Sequence, residues 1–151
     1  MRGWLLDTNV LSELVRPKPE PMVINWLRTT APERTFVSIL TLGEIDQGIA
    51  SLKLNDGRRD RYDRFRTRVE ADFAGRILSL DDETVRLWGA LSGRYRLDLG
   101  GKAPVIDAML AAMAQRFRLH VATRNVQDIR RLGASAFNPW SDDPAHYPLQ
   151  S

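Results

Sequence analysis

The first apolar run of this chain ends in an aspartate, with Asp7 directly after Trp4, Leu5 and Leu6. A short run of that kind reads as a buried strand, and in open parallel sheets the carboxyl ends of strands form the crevice where sites collect. Capping of the following helix is the competing role for Asp7. Glu44 lies between Leu42 and Ile45, at the border of a helical apolar stripe, where a carboxylate is costly unless paired or bound to metal. An ordinary boundary glutamate would look the same. Asp107 is harder to explain as surface. In APVIDAMLAAMAQ its neighbours three and four residues on are Leu110 and Ala111, with Ala114 a turn beyond, so its charge falls on a strip of small residues that must pack closely. Pro104, read as the first helical residue, puts Asp107 in the first turn, where the helix dipole favours the ionised form. A fourth position follows LHVAT, where RNVQDI offers Thr123, Asn125 and Asp128. Asn125 could bond a metal-bound water, whereas Asp128 suits a cap or solvent equally well. Three carboxylates and an amide converging at strand ends would suit a hard divalent cation, which takes oxygen ligands.

Other chemistries lack their parts. The 151 residues contain no cysteine, which removes thiol catalysis, cysteine-ligated clusters and a disulfide scaffold. His120 lies inside an apolar strand and His146 in a polar tail, and neither has the spacing of a metal-binding pair. Ser12 and Ser38 have no nearby histidine to act as base, and LGGK at 99–102 lacks P-loop spacing. A phosphatase of the haloacid dehalogenase type needs a second acid two residues after the first, where this chain has Asn9. The acidic pair and late lysine of a receiver domain are also absent.

The elements that must carry these residues alternate. Apolar runs at 4–6, 35–37, 76–80, 119–122 and 134–137 have the length of buried strands, and helical periodicity fills 20–28 and 39–54. Further helices are expected from Asp81 or Asp82, from Pro104, and from Val126 to a close at Gly133. Strands alternating with helices imply right-handed parallel crossovers, hence an α/β fold. The expected architecture is a three-layer α/β/α sandwich on a mostly parallel sheet. At this length one core buries about 68–70% of the unfolded surface, so a single domain suffices. No signal-peptide core is visible near the N-terminus, and no run approaches the ~20 apolar residues of a membrane span. A cytoplasmic protein without a membrane segment is expected.

The net charge is only +3, yet the stretch 58–68, RRDRYDRFRTR, carries six arginines against Asp60 and Asp63, a local +4. Arginines interleaved with Tyr62 and Phe65 suit a phosphate-bearing partner. A solvated helix face with internal Arg–Asp pairs accounts for it equally well.

Together, LLDTNVLSEL, VSILTLGEIDQGI, PVIDAMLAAMAQ and VATRNVQDIRRLG resemble PIN-domain ribonucleases of the VapC type, the toxin halves of type II toxin–antitoxin modules. The ending FNPW is similar to their FitB-like branch. The resemblance covers about 5–140, and it implies a PIN-like nuclease domain over 1–140 with a tail at 141–151. Residue by residue, it implies Asp7, Glu44 and Asp107 as catalytic metal ligands. Asn125, two residues after Thr123, falls where relatives often carry the fourth ligand, with Asp128 as a substitute. Thr8, Asn9 and Thr123 are the implied substrate contacts. Mg²⁺ is the implied cofactor, with Mn²⁺ able to replace it, and the implied reaction is hydrolysis of RNA phosphodiesters. Without metal the bunched carboxylates should repel, leaving one of them protonated. The implied partners are RNA, a cognate antitoxin and a second copy in a homodimer, for which Trp26, Leu27, Leu52 and Leu54 supply apolar surface. A non-catalytic RNA-binding module using 58–68 is the alternative, and metal dependence separates the two.

Overall fold

Two apolar surfaces have to be buried at once by the central strand. In β1 (Gly3–Leu6), Trp4 and Leu6 join one buried cluster and Leu5 the other, as the alternation of a strand requires. The computed structural model describes residues Met1–Ser151 and adds β2 (Thr35–Ser38), β3 (Ile77–Leu78), β4 (Leu119–Ala122) and β5 (Ala136–Phe137). The sheet order is β3-β2-β1-β4-β5, and every pairing is parallel, where the sequence led us to expect only a mostly parallel sheet.

The helices are α1 (Thr8–Leu11), α2 (Pro21–Thr29), α3 (Ile39–Ala50), α4 (Arg58–Asp72), α5 (Asp82–Leu99), α6 (Val105–Phe117) and α7 (Val126–Arg131). Residues of α2, α3 and α4 bury against Trp4 and Leu6, and residues of α6 and α7 against Leu5 and Val121. Trp88, Leu91 and Tyr95 of α5 pack on the second cluster, which completes the three layers. The chain moves from β1 outward to β2 and β3, then returns to β4 on the other side of β1. The carboxyl ends of β1 and β4 therefore flank a topological switch point, and Asp7 and Thr123 are the residues that follow those two strands.

Several local expectations change. α3 stops at Ala50, short of residue 54, and Arg59 of α4 donates to the carbonyls of Ile49 and Leu52 at 3.1 and 2.8 Å, satisfying that helix end. Pro104 caps α6 and Val105 begins it, so Asp107 remains in the first turn. Trp26 is core, not partner surface: it is 7% exposed and meets Trp4 edge-on at 5.3 Å. Leu27 is partly buried beside it, while Leu54 is 90% exposed. The stretch 141–151 lies against the domain, with Gln150 N–H donating to the Met1 carbonyl at 2.7 Å. No helix is long and apolar enough to cross a membrane.

The arginines of 58–68 divide by role. Arg58 pairs with Asp56, Arg66 with Asp46 and Glu70, and Arg68 with Asp72, while Arg59 caps α3. Their acidic partners lie outside the stretch, so the expected pairing with Asp60 and Asp63 is not what is seen. Arg61 and Arg64 make no ion pair and line a second groove with Leu14, Phe65 and Phe73.

Candidate metal centre

Asp7 fills both roles open to it. One carboxylate oxygen accepts the Thr8 backbone N–H at 2.7 Å and caps α1. The other accepts the Thr123 hydroxyl at 2.7 Å and the Asn9 amide at 3.2 Å. Burial raises the Asp7 pKa, and its three hydrogen-bond donors only partly oppose that shift. Glu44, on α3, accepts the Thr8 hydroxyl at 2.6 Å. Its pKa is also raised, by burial and by the Asp7 charge against the Thr8 bond.

Asp107, in the first turn of α6, feels the crowding most. Burial, then the charges of Asp7, Asp128 and Glu44, push its carboxyl up to about 6 against the Asn125 hydrogen bond. The Asn125 amide donates to Asp107 at 2.8 Å and to Asp128 at 3.0 Å, bridging two carboxylates that would otherwise repel. Only the NH₂ end of that side chain can face both acids.

A cavity of about 560 Å³ gathers Asp7, Thr8, Asn9, Glu44, Asp107 and Asn125 at the switch point. Two of the expected residues lie off it. Asp128 is hydrogen-bonded to the cluster through Asn125, and Thr123 is fully buried behind Asp7, where its hydroxyl donates to that carboxylate. Thr8 and Asn9 do line the cavity, but each also donates to a carboxylate. Ser12, Pro104, Val105 and Ile106 complete the lining and were not among the expected residues. Ser12 was legible: it lies four residues after Thr8, on the same helical face.

The donor set consists of three carboxylates, two hydroxyls and two amides, without cysteine or histidine, which fits a hard cation. No three acidic or histidine side chains stand close enough to close a coordination sphere by themselves. Mg²⁺ retains several waters and uses one or two carboxylates directly, so an open arrangement of this kind fits it. His120 takes no part: it is buried among Trp4 and Tyr147 and bonded to Ser135 at 2.6 Å.

The comparison with known proteins agrees in extent and in shape. The PIN domain family matches residues 4–134. The chain is 33% identical to Toxin FitB of Neisseria gonorrhoeae over 138 residues, covering 91% of this chain and 99% of the toxin. It is 30% identical to a VapC ribonuclease of Sinorhizobium fredii over 138 residues, covering 90% of this chain and 96% of that protein. Among solved structures, FitAB bound to the IR36 DNA fragment superposes with a TM-score of 0.84 at 31% identity, covering 93% of this chain and 97% of that one. FitAcB from Neisseria gonorrhoeae gives 0.81 at 32% identity, covering 91% and 98%.

Proposed function

This chain belongs to the PIN-domain family, in its branch of VapC- and FitB-type toxins, and we propose that it hydrolyses RNA phosphodiesters with a divalent cation held by Asp7, Glu44 and Asp107. The observation that carries this reading is the single cavity to which β1, α3 and α6 each deliver one carboxylate. Mg²⁺, or Mn²⁺ in its place, would lower the pKa of a bound water and neutralise the scissile phosphate. Asp7 and Asp107 would hold the cation, with Glu44 contributing directly or through water. Thr8 fixes the Glu44 carboxylate, Thr123 fixes that of Asp7, and Asn125 fixes that of Asp107. Burial and the charges of Asp7, Asp128 and Glu44 raise the Asp107 pKa, and a cation in the cavity would offset the repulsion among these carboxylates. Metal dependence of the activity separates this reading from a metal-free RNA-binding module.

We further propose that the active protein is a cytoplasmic homodimer restrained by a cognate antitoxin. The structural likeness to FitAB and FitAcB supports the antitoxin. A basic side chain of that antitoxin, placed among Asp7, Glu44 and Asp107, would compete with the cation for the same charge. The deciding experiment compares wild type with Asp107→Asn on RNA in Mg²⁺. We expect loss of cleavage with no loss of metal-free thermal stability, since the amide relieves repulsion at nearly constant size. Equal rates for the two proteins would remove the proposed site.

A further inference from the structure

A second cavity adjoins the first. It holds about 220 Å³ between α5 and the start of α6 and is lined by Trp88, Ser92, Gly93, Arg96, Lys102 and Val105, the last of which also lines the carboxylate cavity. Trp88, Ser92 and Arg96 recur at four-residue spacing and so share one face of α5. The chemistry of this cavity is opposite to that of its neighbour. No carboxylate lines it, and Arg96 and Lys102 make no ion pair, whereas Arg86 and Arg116, near the other end of α5, are paired with Asp82 and with Asp81 and Glu83. The Trp88 indole N–H is the one buried side-chain nitrogen with no hydrogen-bond acceptor. Space is also available: a Cβ added to Gly93 would meet nothing within 4 Å.

We propose that this cavity is a phosphate subsite of the RNA-binding surface, taking a backbone phosphate next to the scissile one while the carboxylate centre takes the cation. The proposal rests on the ribonuclease reading above. Arg96 and Lys102 neutralise the phosphate, and the Ser92 hydroxyl supplies a neutral donor at the wall. The contacts go to the backbone, so they set register along the strand without reading bases.

The test is binding of a fluorescein-labelled oligoribonucleotide in EDTA, where cleavage cannot intervene. We expect Arg96→Gln/Lys102→Gln to weaken binding and to lower the slope of log affinity against log salt by about 0.7, the contribution of one single-strand phosphate. Lys18→Gln/Lys53→Gln makes the same charge change away from the cavity and should leave the slope nearly intact. Unchanged affinity and slope in Arg96→Gln/Lys102→Gln would overturn the subsite. Stabilisation of wild type by inorganic phosphate, lost in that variant without any change in RNA binding, would make it a free-phosphate site and overturn the RNA assignment. A change in oligomeric state alone would make it a contact between copies and would overturn that assignment too. If the protein binds RNA with these dependences yet never cleaves it in Mg²⁺ or Mn²⁺, the ribonuclease reading fails and the subsite stands.

Discussion

Asp107 bears the cost of bringing several acids into one cavity, and that cost has a sign. Its folded pKa of about 6 lies above the ordinary 3.8, so between those values the folded protein holds a proton that the unfolded chain has lost. Stability from this group is therefore fully present below about pH 4 and is lost as pH rises through about 6. Melting temperature in EDTA should fall across that window and should fall much less in Mg²⁺, which stabilises the ionised form; parallel curves would contradict the assignment. Asn125 offers a second measurement. Its amide separates Asp107 from Asp128, so Asn125→Asp replaces two donated bonds with another negative charge. The variant should melt lower without metal, need less Mg²⁺ for half-maximal activity and gain more stability from it, with about 2.7 kcal/mol as the scale at a hundredfold excess over Kd. Asp128→Asn should change the Mg²⁺ requirement little, because Asp128 does not line the cavity. The reverse result would make Asp128 the fourth ligand. At this scale the acids were legible because each breaks an apolar pattern. The role of Thr123 was not, since a hydroxyl after a strand looks alike in sequence whether it faces solvent or supports a carboxylate.

The elements that deliver these residues were legible in proportion to how local their causes are. β1, β4 and α6 follow from apolar runs and caps in their own sequence. α4 does not. Its surface is charged nearly all round, and only Tyr62, Phe65 and Val69 turn toward the core, so the helix is held by tertiary contacts such as Arg66 to Asp46 and Arg59 to the end of α3. Phe65→Ala should accordingly cost about 3 kcal/mol, measured by urea unfolding; a cost below 1 would mean that α4 hardly contributes to the core. β3 and β5, with two residues each, were expected longer because apolar side chains continue past the last ladder bond. The pairing of β1 with β2 carries its own constraint at Gly3, where a Cβ would fall 2.3 Å from the Arg34 carbonyl oxygen. A Cβ is fixed by the backbone and the atom it meets is a backbone oxygen, so no rotamer change can relieve the contact. Gly3→Ala should therefore destabilise the fold by about 1–3 kcal/mol, as overpacking does, and wild-type stability in that variant would show that the strands can separate without cost.

At the scale of the whole molecule the sheet has two edges with different duties. The carboxyl ends of its strands hold the carboxylate cavity, while residues after Trp140 bind the opposite edge, where β1, β2 and β4 begin. Gln150 N–H donates to the Met1 carbonyl at 2.7 Å, Arg34 donates to the Gln150 carbonyl at 2.8 Å, and Arg118 donates to the Gln150 side chain at 3.0 Å. Tyr147 closes an aromatic cluster, its ring 5.1 Å from Phe137, 5.4 Å from His120 and 6.2 Å from Trp4. A polar, proline-containing tail gives no sign of this in sequence, because the partners of Tyr147 are distant along the chain. Removing residues 141–151 should uncover Trp4, His120 and Phe137 and cost about 3 kcal/mol, by analogy with truncating a buried aromatic, or about 6–12 °C in melting temperature for a chain of this size. The carboxylate cavity lies at the other edge and takes no residue from the tail. The shortened protein, assayed well below its melting temperature, should therefore keep its Mg²⁺ requirement and its rate per folded molecule. An unchanged melting temperature would mean that the tail only rests on the surface, and a changed Mg²⁺ requirement at full folding would mean that the two edges are coupled through β1 and β4.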